Sequence, residues 1–238
     1  MSRLAAAFGF LTRIPVRTGS DPSSAIGWFP VVGAVVGAVS GTVFWAASQV
    51  TVPWMAASLA VAAAVAVTGA FHEDGLADTF DGVSSIRSTE RQVEIMRDSR
   101  LGSFGVAALT LVLVSRVAGV AALAPTWRAV LVLAWLHAVA AAVVIVVMSV
   151  ASPARVDGSG AEYLRRFSPT IPLAVAAFTV AGGWLLVGAV LVPAVAGALV
   201  PAGVVAWWAS RRLGGVTGDV LGACQQLALV GGLAIVAA

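Results

Sequence analysis

Along most of this chain the hydrophobic pattern has no period: runs of Ala, Val, Leu and Gly continue without a charge and are broken only by short polar islands. A helix needs about 20 mainly apolar residues to cross the ~30 Å hydrocarbon core of a bilayer. Seven stretches reach that length, at about 27–50, 53–71, 104–124, 130–151, 171–190, 193–209 and 220–238. The fifth and sixth share one apolar run, in which Gly188 and Pro193 offer a turn; a single long span or a re-entrant pair is the other reading. The expected fold class is all-α: a polytopic integral-membrane helical bundle of about seven transmembrane helices, with residues 1–238 forming a single domain.

Composition agrees, since 60% of the 238 residues are hydrophobic and 11% charged, against about 25% charged in soluble domains. All of the 14 basic residues are arginine, and their distribution tests the span count through the positive-inside rule. With a cytoplasmic N-terminus, twelve of them fall on one face. Only Arg128 lies in an outer loop, and Arg116 lies inside the third span. The expected topology is therefore N-in, C-out, with acidic helices and loops on the cytoplasmic face. The formal net charge of +3 does not build a basic surface for nucleic acid. Residues 1–18 lack a convincing cleavage site after LAAAFGFL and read as an interfacial helix and turn with arginines at the headgroups. Cys224, the one cysteine, sits in an apolar run and reads as a small buried residue. Gly33, Gly37 and Gly41 are spaced four apart in the first span, a stripe that lets another helix approach closely.

Against this background FHEDGLADTFDG, residues 71–82, stands out at the cytoplasmic end of span two. Asp74, Asp78 and Asp81 are spaced i, i+4, i+7, so one helical face carries all three carboxylates. Such a face repels itself unless divalent metal, arginine or protonation neutralises it. The following STERQVEIMRDSRLG predicts a short helix opened by Thr89, with Gln92 at capping-box spacing. Glu90, Arg91 and Glu94 read as a solvated face. Asp98 and Arg100 end the loop where span three enters the membrane and are better read as functional. Carboxylates of this kind bind Mg²⁺, which keeps positions open for phosphate oxygens, and neighbouring arginines add bidentate contacts to phosphate. A diphosphate substrate is the expectation. Two more polar islands lie on the same predicted face: PARVDGSG at 153–160, with Arg155, and GGVTGDVLGA at 214–223, with Thr217 and Asp219.

GAFHEDGLADTFDG, EIMRDSRLGSFG, GGVTGDVLGA, and the N-terminal FLTRIPV and WFPVVGAVVG together resemble the cobalamin synthase family, also called adenosylcobinamide-GDP ribazoletransferase. The match runs from about Phe10 to Ala223; the intervening spans match only as apolar sequence. The resemblance implies a multi-pass enzyme of the bacterial cytoplasmic (inner) membrane, with its active site on the cytoplasmic face and a role in the last steps of cobalamin biosynthesis. It would join adenosylcobinamide-GDP to α-ribazole or its 5′-phosphate, with Mg²⁺ as cofactor and GMP released. A ribose hydroxyl would attack the cobinamide-side phosphorus of the diphosphate. Carried over by position, Asp74, Asp78 and Asp81 hold Mg²⁺ and Arg97 and Arg100 clamp the diphosphate. His72 or Glu73 is the base, Asp98 stands beside them, and Asp219 completes the site. Arg155 and Thr217 join the substrate-binding set. The glycine-lined spans are compatible with a homo-oligomer, and association with other enzymes of the pathway is equally open. His137 departs from the basic residue that the family often carries near this part of span four, so Arg116 and His137 are left as pocket lining or packing.

Two other readings weigh against this one. An ion-coupled transporter would carry its acids near the bilayer midplane and show two repeated halves; here the acids crowd one face and no clear repeat is found. Another Mg²⁺-dependent membrane transferase acting on a diphosphate would also use aspartate-rich helices, but the CDP-alcohol phosphotransferase pattern is missing.

Overall fold

The computed structural model describes residues 2–16, 22–85, 88–98, 100–154 and 170–238, and Arg155 lies outside the described residues. The described residues form α1 (Arg3–Leu11), α2 (Phe29–Ala47), α3 (Pro53–Thr68), α4 (Phe71–Ser84), α5 (Thr89–Met96), α6 (Ser103–Ala122), α7 (Trp127–Val150), α8 (Thr170–Val187), α9 (Leu191–Leu213) and α10 (Gly218–Val236). No strand occurs among them; a single bridge pairs Pro153 with Val216. This is the all-α membrane bundle expected from the apolar runs.

The number of passes is less simple than seven. By length and composition five runs qualify, Ala25–Ala47, Ser103–Ala122, Trp127–Val150, Leu173–Leu213 and Gly218–Val236, and a sixth if α3 and α4, which meet at 90°, are taken together. The expectation and this count part at two places. Alone, α3 has only 16 residues. Leu173–Leu213 is one apolar run of 41 residues, but its two helices follow different neighbours. The Trp135 indole N–H donates to the Thr179 carbonyl at 3.1 Å, and Leu186 and Val187 lie beside Arg128, so α8 runs against α7. Gly197 faces Gly231 and the Cys224 thiol reaches the Ala202 carbonyl at 3.4 Å, so α9 runs against α10. Between them is a 3₁₀ turn, Gly188–Val190, in which Gly188 takes φ +55°, a left-handed conformation that glycine adopts without a Cβ penalty.

The glycine stripe of α2 packs on α7. A Cβ on Gly33 would lie 2.6 Å from the His137 carbonyl oxygen, and Gly37 and Gly41 meet the α7 backbone at Leu133 and Val130 in the same way. Bare backbone at these positions is what allows the close approach. Ala6, Ala7 and Leu11 of α1 share one buried apolar cluster with Ile26, Phe29 and Val32 and with Ala141, Val144, Ile145 and Met148 of α7.

The turn that aims α4 uses two consecutive left-handed residues, Gly69 (φ +65°) and Ala70 (φ +59°). Their N–H groups donate to Ala66 and Val65 at 3.3 and 3.0 Å, closing the end of α3. The Arg13 side chain lies over Gly69 where any Cβ would stand, and the Arg13 N–H donates to the Val67 carbonyl at 2.8 Å. The capping box expected at Thr89 does not form. Ser88 is the N-cap, the Thr89 hydroxyl donates instead to the Arg212 carbonyl at 3.0 Å, and the Gln92 amide donates back to Ser85 at 2.9 Å. Those two bonds tie α5 to the ends of α9 and α4, a tertiary use of side chains that local spacing assigned to helix capping.

Candidate active site

Helix α4 carries the acids because it is amphipathic in an unusual sense: one face is apolar or glycine and the other acidic. His72, Glu73, Gly75, Leu76 and Ala77 are buried, Asp74 is exposed, and Asp78 and Asp81 are half-buried. It crosses the first turn of α10 through small residues. A Cβ on Gly75 would stand 2.9 Å from the Asp219 carbonyl oxygen, and one on Gly222 3.3 Å from that of His72. Side chains there would wedge the helices apart. The crossing sets Asp74 and Asp219 on the wall of one cleft of about 280 Å³, together with His72, Gln225, Gly218 and Gly222.

The same cleft has an aromatic lining. Phe10 stacks on Phe29 at 5.8 Å and meets Phe71 edge-on at 5.4 Å, and all three line the cleft. A pocket with planar apolar sides and a few convergent polar groups is the usual form of a small-molecule site. The aromatic wall and Gln225 lay outside the sequence expectations; the Gln225-Gln226 pair inside an otherwise apolar helix is the signal that points to them.

Asp78 has the most perturbed acid–base chemistry in the described part of α4's acidic face. Its carboxyl is pushed up to about 7, first by burial and then by the negative charges of Asp74, Asp219 and Asp81. Four carboxylates within electrostatic reach favour either a shared proton or a cation. Among the described residues, no three histidine, cysteine or acidic side chains converge closely enough to hold a metal by themselves. Mg²⁺ does not require that, because it commonly takes one or two protein carboxylates and completes its shell with water and phosphate oxygens. Asp74 and Asp78, with Asp219 across the cleft, fit such a partial set.

Asp81 does something else. Its Oδ2 accepts the Gly102 N–H at 2.7 Å and its Oδ1 accepts the Gly105 N–H at 2.8 Å. Both oxygens are thus committed to the open amides at the start of α6, where a carboxylate also meets the positive end of the helix dipole. This is a cap from another helix, a role that the metal-ligand expectation for Asp81 did not include.

Glu73 also differs from expectation. It points away from the cleft, and its Oε1 accepts a 2.7 Å ion-pair bond from Arg116 Nη1. Gln226 Nε2 donates to the same oxygen at 3.2 Å. Of the two candidate bases His72 lines the cleft and Glu73 does not, so His72 is the better placed. Arg116 and His137, left by the sequence as pocket lining or packing, border a second space together with His72 and Glu73.

The remaining expected residues, Arg97, Asp98, Arg100 and Thr217, do not line the cleft. Asp98 and Arg100 form an exposed fork, with Arg100 Nε donating to Asp98 Oδ1 at 3.0 Å and Nη2 to Oδ2 at 2.6 Å. The Arg100 guanidinium holds the Asp98 carboxyl down at about 2. Arg97 ends α5 as its C-cap and is exposed. The loop bearing these three is moored to α4 through Gly102 and Asp81. Thr217 is the N-cap of α10, its hydroxyl accepting the Val220 N–H at 3.3 Å. The cap is local; Asp219 beside it is what reaches the cleft.

The family model described as Cobalamin-5-phosphate synthase matches residues 3–237. The chain belongs to this family. Similar proteins include the adenosylcobinamide-GDP ribazoletransferase of Bradyrhizobium diazoefficiens, 40% identical over 234 residues that cover 92% of this chain and 87% of the relative. The protein of that name from Xanthobacter autotrophicus is 40% identical over 251 residues, covering 95% and 92%. The one from Leptothrix cholodnii is 36% identical over 239 residues, covering 93% and 89%. No solved structure matches the chain.

Proposed function

We propose that this protein joins adenosylcobinamide-GDP to α-ribazole or its 5′-phosphate, forming adenosylcobalamin or its 5′-phosphate and releasing GMP. Membership of the family and the likeness to adenosylcobinamide-GDP ribazoletransferases support the reaction. The observation that carries its location is the meeting of Asp74 and Asp219 across one cleft, with Asp78 in electrostatic reach of both.

In this reading Asp74 and Asp78, aided by Asp219, hold Mg²⁺. The ion, when bound, would neutralise charge on the diphosphate as GMP departs. His72 faces the cleft as the base for the ribose hydroxyl. Arg97 and Arg100 lie on the moored loop as diphosphate contacts, and a phosphate would take the Nε and Nη2 edge of Arg100 that Asp98 now occupies. The aromatic wall of Phe10, Phe29 and Phe71 offers flat apolar surface to a heteroaromatic base. Arginine asymmetry in the sequence supports an active site on the cytoplasmic face of the bacterial inner membrane.

The test is GMP release by the detergent-purified protein given both substrates, with Mg²⁺ and with the metal chelated. Release that needs both substrates and Mg²⁺ is expected. No release from folded protein under those conditions would remove the reading.

A further inference from the structure

Beside the cleft, and sharing lining residues with it, is a second, smaller space of about 20 Å³, bordered by His72, Glu73, Arg116, His137, Gln225 and Gln226 among apolar neighbours. His72 lines both spaces. The polar groups around it are deeply buried, with exposures of 5% for Glu73, 3% for Arg116, 4% for Gln226 and 7% for His137. Three helices meet at one atom here. Glu73 Oε1 from α4 accepts from Arg116 Nη1 of α6 at 2.7 Å and from Gln226 Nε2 of α10 at 3.2 Å. Arg116 Nη1 also donates to Gln226 Oε1 at 3.0 Å.

Two atoms on the border have no protein partner, Glu73 Oε2 and His137 Nε2. Their chemistry is the same. The His137 Nδ1 lies 2.8 Å from the Leu133 carbonyl, which can only accept, so Nδ1 carries the hydrogen. In the neutral ring Nε2 is then an acceptor, as is the second carboxylate oxygen of Glu73. A buried acceptor left without a donor is costly. The space therefore calls for a small ligand with two donors, and its volume exceeds the roughly 10–15 Å³ that one water needs.

We propose that this space is a binding site for a single structural water, which donates to Glu73 Oε2 and His137 Nε2 and links α7 to the α4–α6–α10 junction. It rests on the reading of the α4 acids as the reaction centre. The unit Glu73–Arg116–Gln226–water–His137 fastens the buried face of α4, so that the next residue, Asp74, and His72 before it are presented to the cleft. Arg116, Gln226 and His137 are thus positioning residues and touch no substrate.

Two measurements test this on the full chain in detergent or nanodiscs. In a high-resolution map of the wild type, a density peak within hydrogen-bond distance of both Glu73 Oε2 and His137 Nε2 is expected. A direct contact between those two atoms, or no peak at a resolution that shows other buried waters, overturns the water site whatever the protein catalyses. In kinetics, His137→Leu should lower kcat by about tenfold, the scale of supporting-shell losses, with KM for both substrates unchanged. His137→Gln, which keeps an acceptor, should recover most of it. A His137→Leu enzyme with unaltered kcat, or equal loss in both variants, overturns the positioning role. Should the leucine variant not fold, His137→Phe, which keeps a ring without the acceptor, takes its place: loss there against recovery in His137→Gln decides the same point. Absence of turnover in the wild type would instead count against the proposed reaction and leaves the density test to decide the site.

Discussion

The Gly105 N–H donates to Asp81 Oδ1 at 2.8 Å, so the last acid of the α4 row closes the first turn of a different helix. Gly105 is needed for the contact: a Cβ there would run into the Asp81 carboxylate and stand 2.8 Å from the Ala77 carbonyl oxygen. Asp81→Ala should cost about 0.5–2 kcal/mol, the range for losing a helix N-cap, and Asp81→Asn less, because one carbonyl oxygen still accepts. Thermal unfolding in detergent reads this. Asp81→Asn should also keep its Mg²⁺ dependence; loss of metal response at unchanged stability would return Asp81 to the ligand set.

Asp74→Asn and Asp219→Asn should each lower GMP release by about 100-fold or more, a typical loss for one electrostatic contact made to the reacting group. Helical content and unfolding temperature should hardly change, since neither side chain supports the packing of α4 on α10, which runs through Gly75 and Gly222. Full activity in both variants would move the metal and diphosphate elsewhere.

The raised Asp78 carboxyl makes a prediction about pH. Its folded value of about 7 lies above the ordinary carboxylate range, so between that range and about 7 the folded state binds more protons than the unfolded. Stability must then fall as pH rises through this window. With metal chelated, the wild type should unfold at a lower temperature near pH 8 than near pH 5.5, and Asp78→Asn should flatten that slope. Adding Mg²⁺ near pH 8 should recover stability in the wild type and not in the variant. A slope that persists in Asp78→Asn would assign the effect to other groups.

Gly33→Ala places a methyl 2.6 Å from the His137 carbonyl oxygen on the α2–α7 contact, where backbone cannot yield as a flexible side chain would. Overpacking of this kind costs about 1–3 kcal/mol. The variant should show a lowered unfolding temperature, and Gly37→Val a larger loss or no folded protein. Gly203→Ala is the control, because nothing lies within 4 Å of a Cβ there. Equal behaviour of all three would mean that the stripe is not what seats α2.

Hydrophobicity by itself determined that this is a helical membrane protein, because an apolar run long enough to cross a bilayer must bury its own backbone hydrogen bonds. The clustering of acids in residues 73–98 was equally plain, since so few charges occur elsewhere. Spacing along α4 also placed Asp74, Asp78 and Asp81 on a common face, which the helix Phe71–Ser84 bears out.

What that face meets was decided by tertiary structure. Periodicity says which side chains point together, and nothing in it says that α6 begins beside Asp81 or that α10 begins beside Asp74. Glu73 and Asp74 are adjacent in sequence, yet one is buried on Arg116 and Gln226 and the other opens onto the cleft. Successive helical residues turn by about 100°, so their environments are set by the neighbours each direction finds. Arg116 looked like an isolated charge in its span for the same reason: its partner Glu73 lies on α4, brought to it by the left-handed turn at Gly69 and Ala70. A non-glycine residue at positive φ and the 90° change of direction there depend on the packing around them.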